Sequence, residues 1–420
     1  MPPWWRGQPG SNRLRAKPRP NRFSTTRPTE PDLPVMNRLL HRLAEARVKA
    51  ESAGLWRQRQ RHSPALMDFS ANDYLGLARD ERLAEALAEG ARRYGVGSGA
   101  SPLVSGYSEA HAELEAALCA ATGHEAALLF CSGFAANLAL CHALFDSTDT
   151  LVADKLIHAS MIDGILGSGA NLKRYPHCDL SGAARLIERF PGTALLTESI
   201  FSMDGDLAPL LPLSNLCESH NSLFIVDDAH GFGVIGEQAM GASRLDGVNI
   251  SLQLVTFGKA LGCQGAAVLG SQALIESLVA SARHYIYSTA LSPAQAHAAR
   301  VSLSLVQQGE KSATLAVNIR HFLNCAKEVG LALLPSQSPI QLMPVPTVQA
   351  CLMAADTLKA RGFLVGAIRP PTVPAPRLRI TLSAAQSMNS IEALVNALAD
   401  IEKGFGEGVN ECVVKGSDKP

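Results

Sequence analysis

Short apolar runs alternate with longer stretches of helical periodicity along most of this chain. Two of these runs, residues 223–226 and 252–257, stop abruptly at polar or glycine residues, the first at Asp227 and the second at Gly258. Four to six consecutive apolar residues with such boundaries are typical of strands that are buried on both faces, as in parallel sheets. The pattern therefore predicts an α/β fold.

An Asp, a His and a Lys follow the ends of these two predicted strands. Ligands of open α/β sheets bind beyond the carboxyl ends of the strands, so Asp227, His230 and Lys259 are expected to face one crevice. A Lys amine can hold an aldehyde as a Schiff base, and a carboxylate can keep a pyridine nitrogen protonated as an electron sink. Together the three residues suit pyridoxal 5'-phosphate (PLP), although each alone is more often a turn residue, a structural histidine or a solvated charge.

A third apolar run precedes a candidate anion-binding site. Residues 126–130 predict a strand, and Ser132, Gly133 and Phe134 follow it at the start of a predicted helix. Free backbone amides and the positive end of the helix dipole attract negative charge at such a junction. We interpret the junction as the phosphate site, with an ordinary strand-to-helix turn as the alternative.

The glycine-rich residues 95–106 superficially suggest a dinucleotide-binding loop. Residues 82–94 before them have helical periodicity rather than the pattern of a buried strand, and the glycines do not keep the full GxGxxG spacing. A nicotinamide-dependent oxidoreductase is therefore disfavoured.

Length and patterning divide the chain into several parts. A chain of 420 residues suits a large α/β domain with a smaller second domain. Helical periodicity covers residues 37–62 and again 294–328, and eight prolines with seven basic residues predict disorder before the first of these. The expected parts are a disordered extension (1–35), an N-terminal helix and arm (36–70), a large PLP-binding domain (71–300), a C-terminal domain (301–405) and a polar tail (406–420).

The N-terminal extension leaves two interpretations open. It has no apolar segment of the signal-peptide type, and its prolines argue against the amphipathic helix of a transit peptide. A translation start at Met36 accounts for it more simply.

Composition excludes several function classes. The formal net charge is zero and the pI is near 7.2, which gives no electrostatic case for nucleic acid or for an anionic membrane surface. The nine cysteines occur singly, without the spacing of metal ligands, which predicts no metal site and indicates a reducing cytoplasm. No apolar run approaches the ~20 residues of a membrane span.

Two motifs make the chain recognisable. Residues 226–234, VDDAHGFGV, and residues 256–262, TFGKALG, resemble the α-oxoamine synthases, a family of fold-type I PLP enzymes. The resemblance extends from about residue 39 to residue 401. It implies a large domain with a mainly parallel seven-stranded sheet, a smaller α+β C-terminal domain, and a homodimer with shared active sites.

The resemblance also implies roles for individual residues. Asp227 would face the pyridine nitrogen, His230 the phenolic oxygen and His158 the face of the ring, while Lys259 would hold the cofactor. The other residues expected to bind the cofactor are Ser132, Gly133, Phe134, Ser202 and Thr256, together with Ser288 and Thr289 acting on the neighbouring subunit. Residues expected to bind substrate are Arg57, Asn72, His158, Arg369, Thr372 and Arg379.

The activity implied is a decarboxylative condensation of L-alanine with a pimeloyl thioester in biotin biosynthesis. The thioester carrier stays open between coenzyme A and an acyl-carrier protein. One alternative is another α-oxoamine synthase that uses glycine or serine with a different acyl-CoA. Another is a non-catalytic homologue that acts as a dimerising partner, although such a protein would be expected to have lost Lys259.

Overall fold

The computed structural model describes the backbone of residues 35–414 and the side chains of residues 36–405. The prediction of a disordered extension falls almost entirely outside the described residues. The chain separates into two compact units, residues 1–57 and residues 58–420, and each is described by itself.

The described part of the first unit is one helix, α1, Val35–Ser52. The predicted helix over residues 37–62 is therefore too long at its C-terminal end. Gly54 adopts a left-handed backbone with φ 67°, and the amide of Leu55 donates to the carbonyl of Ala50, a bond that closes the helix end. The apolar positions of α1, Leu39, Leu40, Leu43 and Val48, are exposed.

The second unit contains a seven-stranded sheet with strand order β2-β8-β7-β6-β5-β3-β4. Its strands are β2 Ala126–Phe130, β3 Thr150–Asp154, β4 Asn171–Tyr175, β5 Ala194–Glu198, β6 Leu223–Asp227, β7 Leu252–Thr256 and β8 Ala266–Gly270. Four of the six pairings are parallel, and only β8 runs antiparallel to its neighbours. This confirms the mainly parallel sheet.

Helices cover both faces of this sheet. Alternate residues of the central strands enter different apolar clusters, with Ile225 and Leu254 on one face and Val226 and Val255 on the other. The helices of the second unit are α2 Glu81–Tyr94, α3 Glu109–Thr122, α4 Gly133–Leu144, α5 Ala159–Ser168, α6 Leu180–Arg189, α7 Leu210–Ser219, α8 Gln272–Ser281, α9 Arg283–Ile286, α10 Pro293–Gln307, α11 Glu310–Glu328, α12 Val348–Ala360 and α13 Met388–Val414.

A smaller four-stranded sheet has the order β1-β10-β11-β9. Its strands are β1 Met67–Phe69, β9 Ile340–Pro344, β10 Phe363–Ile368 and β11 Arg377–Thr381. Three strands come from the C-terminal part of the chain, and β1 joins them from the segment predicted as an N-terminal arm. The mixture of this sheet with α11, α12 and α13 fits the predicted α+β class, while the domain boundaries stay a prediction.

One helical expectation needs correction. The helical periodicity of residues 294–328 is divided in two, because Gly309 adopts φ 79° and separates α10 from α11. Within the segment predicted as a tail, α13 continues to Val414 through a stretch without proline. No helix in the described range is both long enough and apolar enough to cross a membrane.

Candidate active site

A cavity of about 480 Å³ opens beyond the carboxyl ends of the central strands of the large sheet. Asp227 ends β6 and Thr256 ends β7, and the parallel register places the two strand ends side by side. The sequence-predicted residues that line the cavity are Asn72, Ser132, Gly133, Phe134, His158, Ser202, Asp227, His230, Thr256, Lys259 and Arg379.

Asp227 is a buried carboxylate with fixed orientation. Asn137 donates from Nδ2 to Asp227 Oδ2 at 2.8 Å, and the amide of Ala229 donates to Oδ1 at 3.1 Å. The same Asn137 amide contacts Ser160 Oγ at 2.9 Å, and Ser160 Oγ lies 2.7 Å from Nδ1 of His158. A hydrogen-bonded chain thus links the carboxylate to the imidazole across the cavity.

Lys259 lines the cavity, and its surroundings have opposing effects on its pKa. Its Nζ donates to Thr256 Oγ1 at 3.2 Å, which accounts for the three-residue spacing of the motif. Burial, with the positive charge of Arg379, lowers the pKa of Lys259, and the nearby carboxylate of Asp227 opposes that shift only in part. A lowered pKa favours the neutral amine, the form that is nucleophilic and basic.

The candidate anion-binding site lies at the first turn of α4. Ser132 caps this helix by accepting from the amide of Ala135 at 3.2 Å, and the first turn leaves the amides of Gly133 and Phe134 without acceptors inside the helix. A Cβ at Gly133 would lie 2.6 Å from Cγ2 of Thr256. Only glycine therefore lets the helix start come this close to the end of β7.

A tyrosine hydroxyl orients the imidazole of His230 through its Nδ1 atom. Its Nδ1 lies 2.5 Å from Oη of Tyr74, and both residues are buried. Burial, with the positive charges of Lys259 and Arg379, holds the pKa of His230 well below its usual range, and burial raises the pKa of Tyr74 to about 12. The phenol therefore donates to a neutral imidazole, so that Nε2 carries the ring proton and is available to a ligand.

Arg379 is fixed by three acceptors. It donates from Nε to the carbonyl of Ser202 at 2.8 Å, from Nη1 to Thr381 Oγ1 at 3.0 Å and from Nη2 to Asn72 Oδ1 at 3.1 Å. A guanidinium has five N–H groups, so Nη1 and Nη2 each retain a second one after these contacts. Two parallel donors of this kind match a carboxylate.

Some predicted residues do not line this cavity. Ser288 and Thr289 are exposed after α9, and the carbonyl of Thr289 accepts from Sγ of Cys131 at 3.3 Å. Arg369 and Thr372 follow β10, whose last residue, Ile368, does line the cavity. Arg57 ends the first unit. The roles of these five residues stay predictions.

Sequence reasoning missed four residues of the site, Asn137, Ser160, Tyr74 and Glu198. Each has a partner that is distant in sequence. The signal available for Asn137 was its position four residues after Gly133, which places both on one face of a helix.

Glu198 ends β5 opposite Asp227 in the register and adds a second buried carboxyl to the site. Burial, with the charge of Asp227, raises the pKa of Glu198 well above its usual range, and its Oε1 has no hydrogen-bond partner among the described residues. The raised pKa favours the protonated form of Glu198.

Comparison with known proteins identifies the family. The profile of aminotransferase class I and II matches residues 64–398. An 8-amino-7-oxononanoate synthase of Photobacterium profundum is 41% identical over 388 residues, which cover 88% of this chain and 99% of that protein. The chain belongs to the 8-amino-7-oxononanoate synthase family. The same family name belongs to a relative from Cronobacter sakazakii, 47% identical over 79% of this chain and 88% of that protein.

Solved structures agree on the fold. The crystal structure of 8-amino-7-oxononanoate synthase from Francisella tularensis matches with a TM-score of 0.71 and 31% identity, covering 81% of this chain and 99% of that chain. A serine palmitoyltransferase of S. paucimobilis with bound PLP matches with a TM-score of 0.81 over 89% of this chain and 100% of that chain, at 24% identity. The predicted fold-type I architecture is confirmed.

These matches also confirm that the chain is a PLP-dependent acyltransferase. The residues of the cavity fit the cofactor. A fixed buried carboxylate, a lysine of lowered pKa and a helix start open to an anion are the three groups that PLP chemistry requires, and one cavity contains all of them.

Proposed function

We propose that this enzyme condenses L-alanine with a pimeloyl thioester, giving 8-amino-7-oxononanoate, carbon dioxide and a free thiol. The observation that carries the proposal is the shared cavity of Lys259, the Asn137-anchored Asp227 and the Arg379 guanidinium. Membership of the family supplies the product, since the relatives have that product in their name. The step forms a bond between Cα of alanine and the acyl carbon, and breaks the C–S bond and the bond to the alanine carboxylate.

PLP supplies the electron sink of this reaction when it is bound. Asp227 would hold the proton of the pyridine nitrogen, and Asn137 would keep the carboxylate aligned. The amides of Gly133 and Phe134, with the hydroxyls of Ser132 and Thr256, would bind the phosphate. His158 would lie on the ring face, His230 Nε2 would donate to the ring's phenolic oxygen, and Ser202 would also contact the cofactor.

Lys259 would act as the base that removes the α-proton of alanine. Its lowered pKa supports this role, because it favours the neutral amine, which is the form that can accept the proton. Arg379 would bind the alanine carboxylate through the second N–H groups on Nη1 and Nη2, with Asn72 keeping the guanidinium in plane. The acyl chain would meet Arg369, Thr372 and Arg57, and the carrier of the thioester would be coenzyme A or an acyl-carrier protein.

The enzyme would act as a homodimer with shared sites. The glycine-rich segment packs against the segment after α9, where Ser98 Oγ donates to the carbonyl of Ala290 at 2.9 Å. Around this contact Val96, Val104 and Tyr287 are more than two-thirds exposed, which supports burial against a second copy. Ser288 and Thr289 would then reach the phosphate of the partner.

A hybrid-dimer experiment tests the shared site. Lys259→Ala chains and chains with both Ser288→Ala and Thr289→Ala would each be inactive or weak alone. Mixed under conditions of subunit exchange, they should regain activity, because one site of each hybrid keeps all three residues. A monomer by light scattering, or no recovery in confirmed hybrids, would contradict the shared site.

A cytoplasmic location is proposed with the enzyme. The described cysteines, Cys119, Cys131, Cys141, Cys178, Cys217, Cys263, Cys325 and Cys351, are all free thiols, which supports a reducing compartment.

A product assay tests the proposed function. Purified protein loaded with PLP is incubated with pimeloyl-CoA and L-alanine, glycine or L-serine, and the products are resolved by mass spectrometry. The proposal expects 8-amino-7-oxononanoate with L-alanine, and none from Lys259→Ala. A faster reaction with glycine or serine would replace the proposal with another α-oxoamine synthase activity.

A further inference from the structure

A second group of chemically active side chains lies beyond the ends of β3 and β4. It consists of Asp154, His177, Cys178 and Asp206, which we name the His177 cluster. None of them lines the cavity described above. The end of β3 and the loops after β4 and β5 bring them together, which explains why the spacing of cysteines in the sequence gave no sign of a metal site.

Asp154 fixes the imidazole of this cluster. Its Oδ1 lies 3.0 Å from Nδ1 of His177, and it is itself held by the amides of Leu156 and Cys178, each at 2.8 Å. The ring of His177 also packs edge-on against Phe201 with centroids 4.4 Å apart. A buried carboxylate on Nδ1 is the arrangement that orients histidine ligands in metalloproteins and leaves Nε2 for the metal.

The remaining three polar atoms converge on one point. Cys178 Sγ lies 3.7 Å from His177 Nε2 and 3.6 Å from Asp206 Oδ2, and the nitrogen lies 2.7 Å from that oxygen. Tetrahedral bonds of about 2.3 Å to sulfur and about 2.1 Å to nitrogen or oxygen require separations of about 3.5 Å between the ligand atoms. The two distances to sulfur already match, and the nitrogen–oxygen distance must widen, which the partly exposed Asp206 side chain permits.

We propose that His177 Nε2, Cys178 Sγ and Asp206 Oδ2 form a site for Zn²⁺ or a metal of similar softness. A thiolate, an imidazole and one carboxylate favour this class over Mg²⁺ or Ca²⁺, which prefer oxygen ligands alone. Binding releases the thiol proton of Cys178 and the proton on Nε2 of His177. The carbonyl of Leu207, 3.9 Å from Cys178 Sγ, or a water completes the coordination.

The loop between β5 and α7 connects the His177 cluster to the cavity of the candidate active site. Asp206 belongs to the loop between β5 and α7, in which the carbonyl of Ser202 accepts from Arg379 and Asp204 pairs with Arg377 at 2.7 Å. A metal bound to Asp206 therefore restrains the loop that holds Arg379. Occupancy is expected to change the binding of the amino-acid substrate.

A second cluster of His, Cys and Glu side chains can be compared with this site. His321, Cys325 and Glu392 form this second cluster, in which Cys325 Sγ lies 3.7 Å from His321 Nε2 and that nitrogen lies 3.0 Å from Glu392 Oε1. As in the His177 cluster, the carboxylate and the thiol both approach Nε2 of the imidazole, but the glutamate is half exposed. Among the described residues no buried carboxylate contacts Nδ1 of His321, so this cluster lacks the feature that fixes His177.

Cobalt titration of the holoenzyme tests the proposal. Tetrahedral Co²⁺ bound by thiolate gives visible d–d bands, and Zn²⁺ should displace it with a stoichiometry of one metal ion per chain. Cys178→Ser and Asp206→Asn should each weaken Zn²⁺ binding at least about tenfold, while Cys325→Ser should bind like the wild type. Circular dichroism establishes that all variants are folded.

Three results would overturn the inference. They are no tetrahedral cobalt spectrum in the wild type, unchanged affinity in folded Cys178→Ser, and loss of binding in Cys325→Ser. All three leave the proposed condensation reaction untouched, because no residue of the His177 cluster takes part in it.

Discussion

The phenol oxygen of Tyr74 lies 2.5 Å from Nδ1 of His230, and this contact determines which imidazole nitrogen faces the cavity. Tyr74 comes from the short segment after β1 and His230 from the loop after β6, so 156 residues of sequence separate them. Tyr74 makes the contact at the back of the ring. It acts as a positioning residue for His230.

Tyr74→Phe tests that role. The change leaves Nδ1 of a buried imidazole without its donor, which costs about 1–3 kcal/mol and frees the ring proton to move from Nε2 to Nδ1. We expect kcat to fall roughly tenfold and the visible absorption band of the bound cofactor to shift. Tyr94→Phe is the matched control, because the Tyr94 hydroxyl is buried without a hydrogen-bond partner among the described residues. An unchanged spectrum and kcat in Tyr74→Phe would remove the tyrosine from the account.

Arg379→Lys tests the carboxylate site. A lysine cannot reproduce the two parallel N–H groups, and losing a charge-assisted pair costs about 1.5–3 kcal/mol. The dissociation constant for L-alanine, measured by spectral titration, should rise at least about tenfold. Binding of the acyl thioester should change much less.

Arg377→Lys is the control on the same strand, since Arg377 pairs with Asp204 and does not line the cavity. Equal weakening of alanine binding in both variants would show that the loop, rather than the guanidinium of Arg379, is responsible. Unchanged alanine binding in Arg379→Lys would leave Asn72 or Arg369 as the partner of the carboxylate.

Asp228 provides a pH-dependent test of stability. Burial raises the pKa of Asp228 to about 7, although the amide of Ala242 and Nε2 of Gln253 both donate to Oδ2. Between its ordinary pKa and about 7 the folded protein binds a proton that the unfolded chain releases, so stability falls as pH rises through this window. Above pH 7 both states are charged and the slope disappears. The full penalty is on the order of 4 kcal/mol.

Asp228→Asn removes this titration and keeps one acceptor for the two donors. The melting temperature of the variant relative to the wild type should therefore increase between about pH 5 and about pH 7 and then level off. Asp146→Asn, a change in an exposed loop, serves as the control. A difference that is constant with pH would show that Asp228 is already charged throughout the window.

Features that depend on residues close together in the sequence could be predicted, and features that depend on distant residues could not. Asp227 and Lys259 were predictable because each directly follows a buried strand, and the ends of parallel strands meet at one edge of the sheet. Ser132 and Gly133 were predictable as a helix start for the same local reason. The end of α1 was not, since a single left-handed Gly54 ends a periodicity that continues in the sequence.

Contacts between distant segments could not be predicted. Asn137 orients Asp227 across 90 residues, and Asn72 contacts Arg379 across 307. Residue type alone does not identify such pairs, because an asparagine in a helix or loop has many possible partners. The His177 cluster shows the same limit, since its ligand atoms belong to two loops, after β4 and after β5, that only the folded sheet brings together.

The most direct test of the central claim follows the α-proton of alanine. The enzyme is incubated with pimeloyl-CoA and L-alanine deuterated at Cα, and the product is analysed by mass spectrometry. If Lys259 removes the α-proton before the new carbon–carbon bond forms, 8-amino-7-oxononanoate should appear with the deuterium exchanged for solvent hydrogen, and Lys259→Ala should form none. No product from the folded, PLP-loaded enzyme, or a product that retains the deuterium, would contradict the account.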